Sequence, residues 1–79
     1  MNELMELAVA MAEHKHEVWA SEKIKQGWTY GPIRDHIQKT HPCLVPFQVL
    51  SEKEKEIDIM ESIDIIKFIQ NLGFEISKK

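Results

Sequence analysis

All three prolines and two of the three glycines of this 79-residue chain fall between residues 27 and 46, leaving residues 1–26 and 47–72 free of both. Proline fixes its own φ and has no amide hydrogen to donate, so a long helix cannot run through Pro32, Pro42 or Pro46. Gly31-Pro32 breaks the chain outright. The sequence is thereby cut into three blocks, two open to helix and one, about 28–50, that is not.

The first block, about 3–26, reads as helix. Leu4, Leu7, Ala8, Met11, Val18 and Trp19 recur at helical spacing, while Glu13, Lys15, Glu17 and Glu22 fall largely on other faces. Asn2 is placed to cap the start, and Glu3 and Glu6 suit the positive end of the helix dipole. Lys23 and Lys25 suit the last turns, and Gly27 follows as the left-handed residue that ends the helix.

The third block carries two start signals in tandem. Ser51 with Glu54 and Asp58 with Glu61 each form a capping-box pattern. The expectation is either one helix bent near Asp58, or a short helix followed by a main one over about 59–72. Ile59, Ile63, Ile65, Ile66, Phe68, Ile69 and Leu72 cover most of that segment, leaving Asp64, Lys67 and Asn71 as its polar stripe. A helix apolar on so many sides is either the centre of the fold or partly covered by a partner chain.

In the middle block Pro32 suits a first helical position and could open a short helix through about Lys39. Cys43, Leu44, Val45, Phe47, Val49 and Leu50 make the remainder a packed segment lying across the helices. The fold class expected is mainly α: a small helical domain with two main helices, about 3–26 and 59–72, joined by short helices and a packed irregular segment. Seventy-nine residues make one domain at most, and a chain this short buries only about 60% of its unfolded surface.

A net charge of −3 with interspersed Lys and Glu lacks the clustered positive field of a nucleic-acid binder. A single cysteine, Cys43, allows no internal disulfide, which points to a reducing cytoplasm. Glu3 and Glu6 stand where a signal peptide would carry basic residues. No run approaches the roughly 20 apolar residues of a membrane span, so no membrane insertion is expected.

The middle of the chain carries the specific motifs. His16-Glu17-Val18-Trp19-Ala20 is followed by Ile24-Lys25-Gln26-Gly27-Trp28-Thr29-Tyr30-Gly31-Pro32 and then Ile33-Arg34-Asp35. Next come Thr40-His41-Pro42-Cys43-Leu44-Val45-Pro46-Phe47, Leu50-Ser51-Glu52-Lys53-Glu54-Lys55 and a close of Ile69-Gln70-Asn71-Leu72-Gly73-Phe74. Over about residues 14–76 this resembles the ryanodine-receptor (RyR) repeat domain, most specifically at Gly-Trp-Thr-Tyr-Gly and His-Pro-Cys-Leu. His36, Ile37 and the apolar Ile57-Asp58-Ile59-Met60 depart from the receptor copies.

The resemblance implies a small, mainly helical fold. Receptor repeats come in tandem pairs related by a pseudo-two-fold and serve as cytoplasmic regulatory elements. Solitary prokaryotic copies are suspected of sensing nucleotide-derived ligands. A lone repeat lacks its tandem mate, and with so apolar a last helix it is expected to form a symmetric homodimer that mimics the pair.

Three residues are candidates for holding a ligand. Trp19 offers an indole face on which a ring stacks, although core packing is the common role of tryptophan. Arg34 offers a fork for a phosphate or carboxylate, against a structural role tying the loop to the helices with Asp35. Tyr30 adds a hydroxyl to either role. Gly27, Trp28, Gly31, Asp35, His41 and Pro42 read as structural: Trp28 as core behind Gly27, and His41 as a backbone-bonded residue fixing its loop.

No metal or cofactor is expected. His14 and His16 do not share a helix face, and His36, His41 and Cys43 match no zinc spacing. No loop concentrates oxygen ligands as calcium requires. Cys43, between Pro42 and Leu44, suits an inert buried thiol, and no phosphate loop or nucleophile elbow is present. The expectation is therefore a non-enzymatic binding module for a nucleotide-derived or other anionic or aromatic small ligand. A protein–protein adaptor with no small ligand is the alternative.

Overall fold

The computed structural model describes residues 3–79. The cap expected at Asn2 lies outside that range. Helix α1 spans Glu3–Lys25 and helix α2 spans Glu52–Asn71. Between them run two-residue strands, β1 (Thr29–Tyr30) and β2 (Thr40–His41), and a 3-10 turn at Phe47–Val49.

The buried stripe of α1 is Ala8, Ala12 and His16, spaced i, i+4, i+8. On α2 the most buried residues are Ser62 and Ile66. Three of these covered side chains, Ala8, Ala12 and Ser62, are small and leave room for the facing helix. Lys15 pairs with Glu61, Leu4 and Met5 lie beside Lys67 and Gln70, and Glu6 meets Lys78 beyond the end of α2. The helices are therefore antiparallel. The middle segment closes one end of this pair, with Phe47 and Leu50 buried against Ala12 and with Cys43, Val45 and Ile59 packed around them.

Helix α1 ends as its sequence dictates. Gly27 takes φ +91°, the Trp28 amide donates to the Lys23 carbonyl at 2.9 Å, and the Gly27 amide to the Ile24 carbonyl at 3.0 Å. This is the Schellman arrangement, which satisfies carbonyls the helix would otherwise leave open. It also lays the Lys23 ammonium over the Trp28 ring, 4.9 Å from its centroid.

Two expectations about helices are corrected. No helix forms over 32–39. Instead Asp35 Oδ1 accepts the amides of Ile37 and Gln38 at 2.9 and 3.1 Å, and Lys39 turns through φ +57°. Asp35 and Thr40 then exchange backbone hydrogen bonds, both 3.0 Å. A side chain that captures nearby amides favours a turn over a helix. The chain returns as β2, parallel to β1, with Thr29 opposite Thr40 and Tyr30 opposite His41.

The second correction concerns only the start of the main C-terminal helix: of the two alternatives the single helix through Asp58 forms, beginning at Glu52 and not near residue 59. Of the two capping boxes only the first is used as a cap: the Ser51 side chain accepts the Glu54 amide at 3.2 Å. Asp58 lies inside the helix, where its carbonyl accepts the Ser62 hydroxyl at 3.0 Å.

Candidate functional site

Phe47, His16, Trp19, His41, Trp28 and His36 form a continuous row of rings. Successive centroids are 6.1, 5.6, 5.0, 6.4 and 5.6 Å apart. The row connects core to surface. Phe47, His16 and Trp28 are buried, Trp19 and His41 are half-buried, and His36 is exposed. His16 is anchored through Nε2, 2.7 Å from the Val45 carbonyl oxygen. His41 accepts the Cys43 amide at Nδ1, 3.0 Å away. That bond leaves Nε2 as the protonated nitrogen of the neutral ring.

Where the row surfaces, at Trp19 and His41, an open groove of about 410 Å³ runs between α1, the 41–50 segment and α2. His16, Trp19, His41, Leu50 and Ile57 supply its aromatic and apolar lining. The opposite wall is acidic: Glu54, Asp58 and Glu61, one α2 turn apart, line it. Lys15 pairs with Glu61, and the Cys43 thiol donates to Glu54 Oε2 at 2.7 Å. Among the described residues no side chain bonds to the half-buried Asp58 carboxylate.

Two titrations are displaced at this site. Burial, then the charge of Arg34, lowers the His41 pKa from 6.5, against a smaller opposing pull from Glu54. Lys23 and His36 push the same way as Arg34. Burial pushes the Cys43 thiol up to about 11, helped by its hydrogen bond to Glu54 and by the charges of Glu54 and Asp58. Cys43 is thus a protonated hydrogen-bond donor near neutral pH, not a thiolate nucleophile.

Of the three candidate ligand residues, the structure places only Trp19 in the groove wall. Tyr30 and Arg34 are exposed on the β1 side and lie outside the lining, though the charge of Arg34 reaches His41. Of the residues read as structural, His41 lines the groove beside Trp19. Gly27 terminates α1, and Trp28 is buried behind it. Gly31 is buried against Thr40, where an added Cβ would sit 2.5 Å from the Thr40 Cβ. Asp35 closes its turn, and Pro42 lies exposed in the turn after β2.

Sequence reasoning passed over the acidic wall. Its signal was present, since residues 54, 58 and 61 share one helix face at i, i+4, i+7. Among the described residues no group of three His, Cys, Asp or Glu is arranged to hold a metal ion, and no helix is long and apolar enough to cross a membrane.

An antiparallel helix pair closed by a Trp–His-rich segment defines a small, mainly α domain. The RyR domain family matches residues 1–78, and the chain belongs to that family.

Proposed function

We propose that this chain is a non-enzymatic binding module that holds a ring-bearing small ligand, of the nucleotide-derived kind, in the groove beside Trp19. The observation that carries the reading is the open groove of about 410 Å³ with the half-buried Trp19 indole in its wall. An exposed indole face stacks a base for roughly 1–3 kcal/mol. The ring end enters beside Trp19, and anionic groups lie toward Lys23, Arg34 and His36, whose charges bear on His41. The reducing cytoplasm suits a chain with one free thiol.

A thermal-shift screen of adenine nucleotides and ADP-ribose-type derivatives tests this. A ligand at about 100 times its dissociation constant adds roughly 2.7 kcal/mol. That is a shift of several degrees or more in a domain of this size. The shift should vanish in Trp19→Ala. A panel without any shift, or one unaffected by Trp19→Ala, defeats the reading.

A second reading draws on a different surface. Met60, Ile65 and Phe68 of α2, with Leu72 at its C-cap, are all exposed by two-fifths or more. An apolar stripe of this kind favours a protein partner. A second copy of the chain supplies it in the homodimer, and an unrelated protein supplies it if the chain is an adaptor.

A further inference from the structure

The charge of the groove bears on which part of a ligand it accepts. Its α2 wall presents three carboxylates against one ammonium, Lys15, and that ammonium is committed to Glu61. Glu54 receives only a neutral thiol hydrogen. Asp58 is half-buried and receives no side-chain hydrogen bond among the described residues. His41 does not compensate, because its lowered pKa keeps the ring neutral near pH 7.

A carboxylate drawn partly out of water without a counter-charge is held at a cost that a cation or an N–H donor offsets. The facing wall supplies the complementary feature. An indole face attracts cations through its ring quadrupole, most strongly of the aromatic side chains. Leu50 and Ile57 in the same lining disfavour groups that need full hydration. An anionic group placed in the same space meets two uncompensated carboxylates.

We propose that the groove selects a flat nitrogen heterocycle that is cationic or rich in N–H donors, stacked beside Trp19 with its positive edge toward Asp58 and Glu54, and that it rejects an anionic ring. The inference rests on the reading of the groove as a ligand site and specifies what enters it. Anionic substituents of a larger ligand remain outside, on the Arg34 side of His41.

Three probes of nearly one size and differing charge test it: 1-methylnicotinamide (cation), nicotinamide (neutral) and nicotinate (anion). Binding is followed by tryptophan fluorescence in a Trp28→Phe background, so that Trp19 alone reports. The expected order is cation, neutral, anion, with at least about a tenfold span in dissociation constant between the ends. Asp58→Asn should compress that span to about twofold. Glu54→Gln, which keeps an acceptor for the Cys43 thiol, should reduce it in part. Nicotinate binding as tightly as the cation overturns the inference, as does a span that Asp58→Asn leaves unchanged. If no probe binds while an adenine nucleotide still shifts the melting temperature through Trp19, the charge inference falls and the ligand-site reading stands. If neither class binds, both fall.

Discussion

His41 stands edge-on to Trp19, with ring centroids 5.0 Å apart and planes inclined by 74°. Its Nδ1 is already occupied by the Cys43 amide. Burial disfavours the charged ring, and protonating this imidazole would also place a donor where that amide hydrogen points, beside the charges of Arg34 and Lys23. The native state therefore binds the His41 proton more weakly than the unfolded chain does. Where a base has its folded pKa depressed, stability is lost as pH falls below the unfolded value, here 6.5. An NMR titration should find the His41 pKa below 6.5. His41→Asn should flatten the acid side of the stability profile, and a His41 pKa at or above 6.5 would contradict the geometry.

Gly31 allows β1 to lie against β2. A Cβ there would stand 2.5 Å from the Thr40 Cβ and 3.0 Å from its Oγ1, which itself donates to the Ile33 carbonyl. Thr40 cannot withdraw without losing that bond. Gly31→Ala should therefore cost about 2–3 kcal/mol, as overpacking against a fixed neighbour does. Gly73 offers the contrast. Its φ is +98° but no atom lies within 4 Å of an added Cβ, so Gly73→Ala should cost only about 1 kcal/mol, from backbone strain alone. Urea unfolding of both variants checks the order, and equal costs would show that Thr40 gives way.

The glycines also show where local sequence was sufficient. Gly27 was legible as a helix terminator because Lys23, Ile24, Gly27 and Trp28 form its hydrogen bonds within six residues. The start of α2 was not legible. Ser51–Glu54 and Asp58–Glu61 satisfy the same local rule, and only the packing of Leu50 and Ile59 against Ala12 on both sides of the junction selects a continuous helix. Over 32–39 two local preferences competed, and the Asp35 carboxylate prevailed over Pro32. Trp19 was read as either a stacking face or core, and its half-buried place in the groove wall comes from the 41–50 segment and α2, which local sequence does not specify. The acidic wall escaped because its partners, Cys43 and Lys15, come from distant segments.

Cys43 ties the middle segment to α2 through its thiol, and the bond has a signature at high pH. The unfolded thiol ionises near 9.0 and the folded one near 11. Between these values the unfolded chain has released a proton that the native state retains, so stability falls as pH rises through this window. Cys43→Ser keeps a donor to Glu54 without the titration and should lack the decline. Iodoacetamide should label native Cys43 slowly at pH 8, and Glu54→Gln should accelerate it by removing the charge that opposes ionisation. Rapid labelling of the unmodified chain would disprove the raised pKa.

The outward face of α2 makes the last prediction. Met60, Ile65, Phe68 and Leu72 are exposed away from buried Ser62 and Ile66, with Phe68 63% exposed and Leu72 61%. An antiparallel pairing of two such helices brings the Met60 end of one beside the Leu72 end of the other. The stripe is then covered over much of its length by itself. A specific interface needs about 800 Å² from each partner, and a phenylalanine side chain supplies up to roughly 150–250 Å² of it. Light scattering at micromolar concentration should give the mass of a dimer. Phe68→Glu should weaken association by about tenfold or more, because it places a charge at the centre of the apolar contact. Ile37→Glu is the control, since Ile37 is 93% exposed on the loop before β2 and far from α2 in sequence. A monomeric mass for the unmodified chain, or equal effects of the two substitutions, would rule out pairing through this face and leave the stripe to a different protein.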